Sequence, residues 1–211
     1  MALGLPIAFN TSLGLQSQAS VGIDCHSATS ASIPSELKLL LQSSRGIENQ
    51  RFIDAGKIPK KVSKSVEETF NLGTIQGARA VGMQDKVGSL QVGKLADLCV
   101  WDASSPAMVC AAQHDAVAAV VLHSSPRDLE MVIVDGVIRK DQGRLRDVDF
   151  MEGSAVWGEE KGTWKWRDVS KTLVARREEL QKKVGAIDMV KAKKDVIGAL
   201  FADESKIVES V

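Results

Sequence analysis

Asp24, Cys25 and His26 place a carboxylate, a thiol and an imidazole in a row at the end of a short apolar run, Ala19–Asp24. A carboxylate held at a strand end can accept a proton in general base catalysis, and it can equally cap a turn or a helix. His26 can reach a substrate or a metal from the following loop, although a solvated loop histidine is the plainer reading. Cys25 would point away from Asp24 on a continued strand. Burial is expected for it rather than nucleophilic chemistry, because no basic partner is evident. His114 and His123 stand nine residues apart around an apolar segment, which matches no ligand spacing. The three cysteines, Cys25, Cys99 and Cys110, form no Cys-x-x-Cys pair, so neither a disulfide framework nor a thiolate zinc site is readable. Gly88–Gly93 lacks the spacing of a phosphate loop and reads as turns.

The elements that would position Asp24 are a strand over residues 19–24, a polar loop over 26–32 and a helix over Glu36–Ser44, with Pro34 suited to its first turn. Residues 45–64 read as an irregular charged connection. Ser65-Val66-Glu67-Glu68 has the form of a capping box and opens a helix expected to run to Val81. Gly73 and Gly77 within it imply close packing, or a break near Gly73. From Met83 the pattern turns to short strands. Hairpin material is expected over 86–94, and strands over Leu95–Trp101, Ala116–Leu122, Leu129–Val134 and Val137–Lys140. Asp135-Gly136 is a two-residue hairpin signal between the last two. The tail holds Trp157, Trp164 and Trp166, expected to anchor it. An amphipathic helix follows, with Val169, Leu173, Leu180 and Val184 on one stripe, and then a second helical stretch over 186–201.

Composition narrows the classes. The chain has 211 residues, with 27 Lys+Arg balanced by 27 Asp+Glu, 44% hydrophobic and 26% charged. That is the profile of an ordinary soluble globular protein. The zero balance argues against a nucleic-acid partner and against a polybasic membrane tether. No apolar run is long enough for a transmembrane helix, and no signal peptide is readable at the N-terminus. Together with the cysteine usage, this predicts a cytoplasmic protein.

The stretch Thr69–Asp102 carries Thr74-x-x-Gly77-Ala78, Gly82, Gly88-Ser89-Leu90, Gly93-Lys94 and Ala96-Asp97-Leu98 in order. It resembles the C-terminal signature of the amidohydrolase superfamily, in the branch of metal-dependent cytosine and guanine deaminases and triazine chlorohydrolases. Val132–Val137 followed by Gly143 resembles that family's closing sandwich strands, and Val21–Ser27 resembles its eighth barrel strand. Trp166–Val169 resembles its terminal segment. Asp115-Ala116 departs from the Asp-Pro of many relatives, at what reads as a turn.

The resemblance implies an α/β fold: the incomplete C-terminal end of a TIM-like (β/α)8 barrel, part of the composite β-sandwich domain, and a helical tail. The implied division is 1–85 for the barrel portion, 86–148 for the sandwich portion and 149–211 for the tail. A complete barrel needs about 250 residues, more than this chain has. The implied activity is hydrolysis of non-peptide carbon–nitrogen bonds, concretely deamination of a heterocyclic amine by metal-activated water. Asp24 would be both metal ligand and catalytic proton acceptor, and zinc or iron the divalent cofactor. A small-molecule substrate and a homo-oligomeric state are the implied partners.

The family's remaining ligands are histidines, including a His-x-His pair, whereas this chain has only His26, His114 and His123. The chain thus reads as the C-terminal portion of such an enzyme. The alternative is a truncated, non-catalytic fragment or an interaction module that lacks the histidine metal ligands.

Overall fold

Ser32 and Pro34 start the first long helix of the computed structural model. The structure describes residues 6–10, 14–25, 29–150, 162–200 and 203. Helix α1 (Ile33–Asp54) begins at Ser32 in an extended conformation, with Pro34 in the first turn, where its missing amide costs nothing. The helix does not stop at Ser44 but runs ten residues further, through part of the expected charged connection. No proline interrupts residues 45–54, and Gly46 is the single weak helix former of its type in that stretch.

Helix α2 (Val66–Leu72) opens on the expected capping box. The Ser65 hydroxyl accepts from the Glu68 amide at 3.0 Å, and the Ser65 amide donates to the Glu68 carboxylate at 2.7 Å. It ends at Gly73, and α3 (Ile75–Ala80) restarts after Thr74. The break, rather than a continuous helix to Val81, is therefore what the sequence forms. Close packing also holds at Gly73, where an added Cβ would meet Leu37 Cδ1 at 2.9 Å. At Gly77 the nearest such contact is an ordinary 3.7 Å to the Leu72 carbonyl, so no close neighbour explains that glycine.

The chain divides into two compact units, residues 1–146 and 147–211. In the first, the core gathers Phe9, Leu37, Leu41, Leu72 and Val121, all nearly excluded from solvent. Burying each of the larger side chains is worth about 1.5–3 kcal/mol. Ala19 and Val21 pack against this cluster, but residues 19–24 form no strand. A strand needs a neighbour to take its amides and carbonyls, and none pairs with this segment among the described residues.

The sheet of the first unit is antiparallel in the order β1-β2-β3-β4. Its strands are β1 (Leu98–Trp101), β2 (Leu129–Val134), β3 (Val137–Asp141) and β4 (Arg144–Leu145). Val134 pairs with Val137 across Asp135-Gly136. Both turn residues have positive φ, 50° and 75°, as the tight hairpin demands. Residues 86–94 fold into turns rather than a hairpin ladder.

The expected strand over Ala116–Leu122 is helical. Helix α4 (Val109–His114), α5 (Ala116–Ala118) and a π-helical turn (Ala119–His123) occupy that stretch. A short apolar run does not by itself distinguish strand from buried helix. Asp115 decides the matter locally, because its carboxylate accepts from the Ala118 amide at 2.9 Å as an N-cap. Ala116 then stands at the first helical position, where a proline would also fit.

In the second unit, β5 (Val148–Phe150) pairs antiparallel with β6 (Gly162–Trp164), a ladder the sequence pattern does not announce. Helices α6 (Trp166–Gly185) and α7 (Met189–Ala199) follow, where the periodicity places them. Glu179 pairs with Arg176 and Lys183 on the solvated side of α6. Trp164 and Trp166 are exposed, and Trp157 lies outside the described residues. No helix among the described residues is long and apolar enough to cross a membrane.

Candidate active site

Asp24 stands at the end of the extended segment that leaves the core at Val21. Its backbone is left-handed, with φ 56°, and its side chain is exposed. A non-glycine residue in that region is uncommon, though aspartate is among those that tolerate it. Thr29 closes the turn that follows. Its hydroxyl donates to the Ile23 carbonyl and to the Cys25 carbonyl, the latter at 2.9 Å. The Thr29 amide also donates to the Cys25 carbonyl, at 3.0 Å.

One residue on, the Ser30 amide and hydroxyl donate to Glu36 Oε1 at 2.9 and 2.8 Å. Glu36 lies in the first turn of α1, where a negative charge is favoured. Leu37, the next residue, is in the core. The turn bearing Asp24 is thereby tied through side-chain hydrogen bonds to the helix that anchors the first unit.

Cys25 is exposed, not buried as expected. The expectation of burial rested on the lack of a basic partner, which does not by itself bury a thiol, and the segment up to Asp24 forms no strand that could carry Cys25 inward. His26 lies outside the described residues. His114, at the end of α4, and His123, at the end of the π-helical turn, are both exposed. Among the described residues no group of three or more His, Cys, Asp or Glu side chains is placed to hold a metal ion. The described donors around Asp24 therefore do not make a fitting metal cage.

An open depression of about 570 Å³ lies elsewhere, lined by Phe9, Gln16, Glu68, Asn71 and Gln76 among others. Asp24 does not line it.

Two arrangements explain motif residues that spacing alone leaves as punctuation. The Lys94 ammonium donates to the Gln84 carbonyl at 2.5 Å and to the Ser89 hydroxyl at 2.7 Å, locking the glycine-rich turns from inside. Gly88, at φ 87°, sits against Ala78 and the backbone of Ile75. Neither Thr29 nor Glu36 belongs to a recognisable motif. The single signal was compositional, a threonine and three serines in the loop over 26–32 before a helix.

The amidohydrolase family model matches residues 14–139, so the first unit's helices and sheet fall almost wholly within it. This chain belongs to the amidohydrolase family. Over 67 residues it is 42% identical to a 5-methylthioadenosine/S-adenosylhomocysteine deaminase of Symbiobacterium thermophilum, covering 32% of this chain and 15% of that protein. Over 43 residues it is 49% identical to an imidazolonepropionase of Shewanella sp. (strain W3-18-1), covering 20% of this chain and 10% of that protein. The chain thus spans a small part of the length of the relatives it matches. Among solved structures, an adenosine deaminase from Xanthomonas campestris with bound zinc aligns with a TM-score of 0.51 at 21% identity. The alignment covers 74% of this chain and 28% of that one. The likeness is one of fold, and it makes this chain a partial amidohydrolase fold of mixed helix and sheet.

Proposed function

We propose that this chain is the C-terminal portion of a metal-dependent amidohydrolase that hydrolyses non-peptide carbon–nitrogen bonds, concretely by deaminating a heterocyclic amine. The observation that carries the reading is the family match over residues 14–139, supported by relatives named as deaminases. We assign residues 1–85 to the barrel portion, 86–148 to the sandwich portion and 149–211 to the tail. A small-molecule substrate, a cytoplasmic location and assembly into a homo-oligomer belong to the same reading.

Asp24 is the residue to which the reading gives the chemistry. Its carboxylate is exposed and free of any ion pair among those formed by the described residues, so it can take a proton from water as a carbon–nitrogen bond is attacked. Zinc or iron is the cofactor the family reading implies. The described residues do not assemble its cage, and no step is assigned to it. His26, two residues further along the sequence, is the further residue the reading gives to substrate contact.

The test is ammonia release from aminopurines, aminopyrimidines and aminotriazines by the protein as its source cell makes it, compared with Asp24→Asn. The variant keeps the size and removes the basicity. Turnover should fall about 10²–10⁴-fold, the usual contribution of a general acid–base group. Near wild-type turnover in Asp24→Asn would remove Asp24 from the mechanism. Absence of ammonia from every amine would remove the deaminase reading itself.

A further inference from the structure

We infer that Thr29 is the positioning residue of Asp24. The inference rests on the assignment of Asp24 as the site carboxylate and extends it to the group that sets its conformation. The Ile23 carbonyl belongs to the peptide that precedes Asp24 and the Cys25 carbonyl to the peptide that follows Cys25, so the two bracket the Asp24-Cys25 pair. Both lie within hydrogen-bond reach of the Thr29 hydroxyl, whose one proton they share, and the Thr29 amide donates to the second at 3.0 Å. Peptide units are planar, so tying the two that bracket Asp24 and Cys25 to one side chain restricts the backbone dihedrals of that pair together, with Asp24 left-handed at φ 56°.

The holder is itself held. Ser30, adjacent to Thr29, gives both of its donors to Glu36 Oε1, and Glu36 is followed by the core residue Leu37, only 3% exposed. The backbone turn at Asp24 is thus referred to the body of α1 through two side chains. A residue that accepts a proton works only in a defined place, so the device is worth more than a turn. If Thr29 merely tidied the loop, Asp24 would keep its conformation without it.

Thr29→Val removes the hydroxyl at nearly constant shape, and Thr29→Ser restores it. The readout is heteronuclear NMR of the 211-residue chain. It follows the φ-sensitive Cα and Cβ shifts of Asp24 and the exchange rate of the Thr29 amide. In Thr29→Val the Asp24 shifts should move from left-handed to extended values, and amide exchange should quicken about tenfold, the loss of one net hydrogen bond. Thr29→Ser should retain wild-type values for both. Should the valine variant fail to fold, Glu36→Ala releases Ser30 instead and should move the Asp24 shifts in the same direction. Left-handed Asp24 shifts in Thr29→Val, or no recovery in Thr29→Ser, overturn the inference. The Asp24→Asn turnover measured separately decides the reading beneath it, so the two failures are distinguishable.

Discussion

The Asp97 carboxylate accepts a hydrogen bond from the Asp135 amide at 2.7 Å, joining two motifs that lie 38 residues apart in the chain. The neighbouring Gly136 amide donates to the Ala96 carbonyl at 3.1 Å. The Ala96-Asp97-Leu98 motif is therefore the receptor for the hairpin turn, and it starts β1 at the register where Leu98 faces Ile133. Asp97→Ala should destabilise the first unit by about 0.5–1.5 kcal/mol, the net worth of one such bond in an exposed place. Asp97→Asn, which keeps an acceptor oxygen, should lose less. Urea unfolding followed by tryptophan fluorescence measures both, and equal losses in the two variants would refute the acceptor role.

Gly88 explains itself against Ala78. A Cβ added there would lie 2.6 Å from the Ala78 Cβ and 3.1 Å from the Ile75 Cα, at a backbone φ of 87°. Backbone atoms cannot swing away as a side chain can. Gly88→Ala should cost more than about 2 kcal/mol, the sum of an unfavourable left-handed conformation and overpacking. Gly93→Ala, with positive φ but open space around it, should cost only about 1–2 kcal/mol. A denaturation series that ranks them in the opposite order would show the contact to be unimportant.

Asp128 should make part of the stability of the first unit acid-sensitive. The Ser105 hydroxyl beside it, then the Ser125 hydroxyl and amide, hold its carboxyl below the usual carboxylate range. Ser125 donates from both groups at 2.8 Å. A depressed folded pKa means the native state favours the charged form. The contribution is full above the unfolded-state pKa of about 3.9 and is lost as pH falls through the lower folded value. Wild type should therefore lose its advantage over Asp128→Asn below about pH 4. Thermal melts of both proteins from neutral pH to strong acid give the comparison, and a constant gap across that range would refute the linkage.

Metal retention by the 211-residue chain should be below one equivalent. A catalytic zinc site is usually built from three protein ligands and a solvent position. The exposed Asp24 carboxylate, with no cluster of donors around it among the described residues, supplies one. Elemental analysis after dialysis against zinc gives the ratio. A stoichiometric, chelator-removable ion would mean that donors outside the described residues complete the site.

The sequence by itself determined the family and much of the local structure. The ordered motifs from Thr74 to Leu98 named the family, and the match over residues 14–139 agrees. The Ser65 capping box, the Asp135-Gly136 turn and the tail helices were legible because each depends on neighbours within a few residues. Long-range partners were decided only in three dimensions. Residues 19–24 carry a strand's composition, yet an extended segment becomes a strand only when another takes its hydrogen bonds. Ala116–Leu122 was as compatible with a strand until Asp115 capped it as a helix. Cys25 is exposed because the chain turns at Asp24, and the turn is set by Thr29, whose role has no local pattern to betray it. Gly88 and Lys94 were visible as motif residues, but their reasons were not. One leans on Ala78 and the other reaches back to Gln84, contacts that spacing along a chain does not encode.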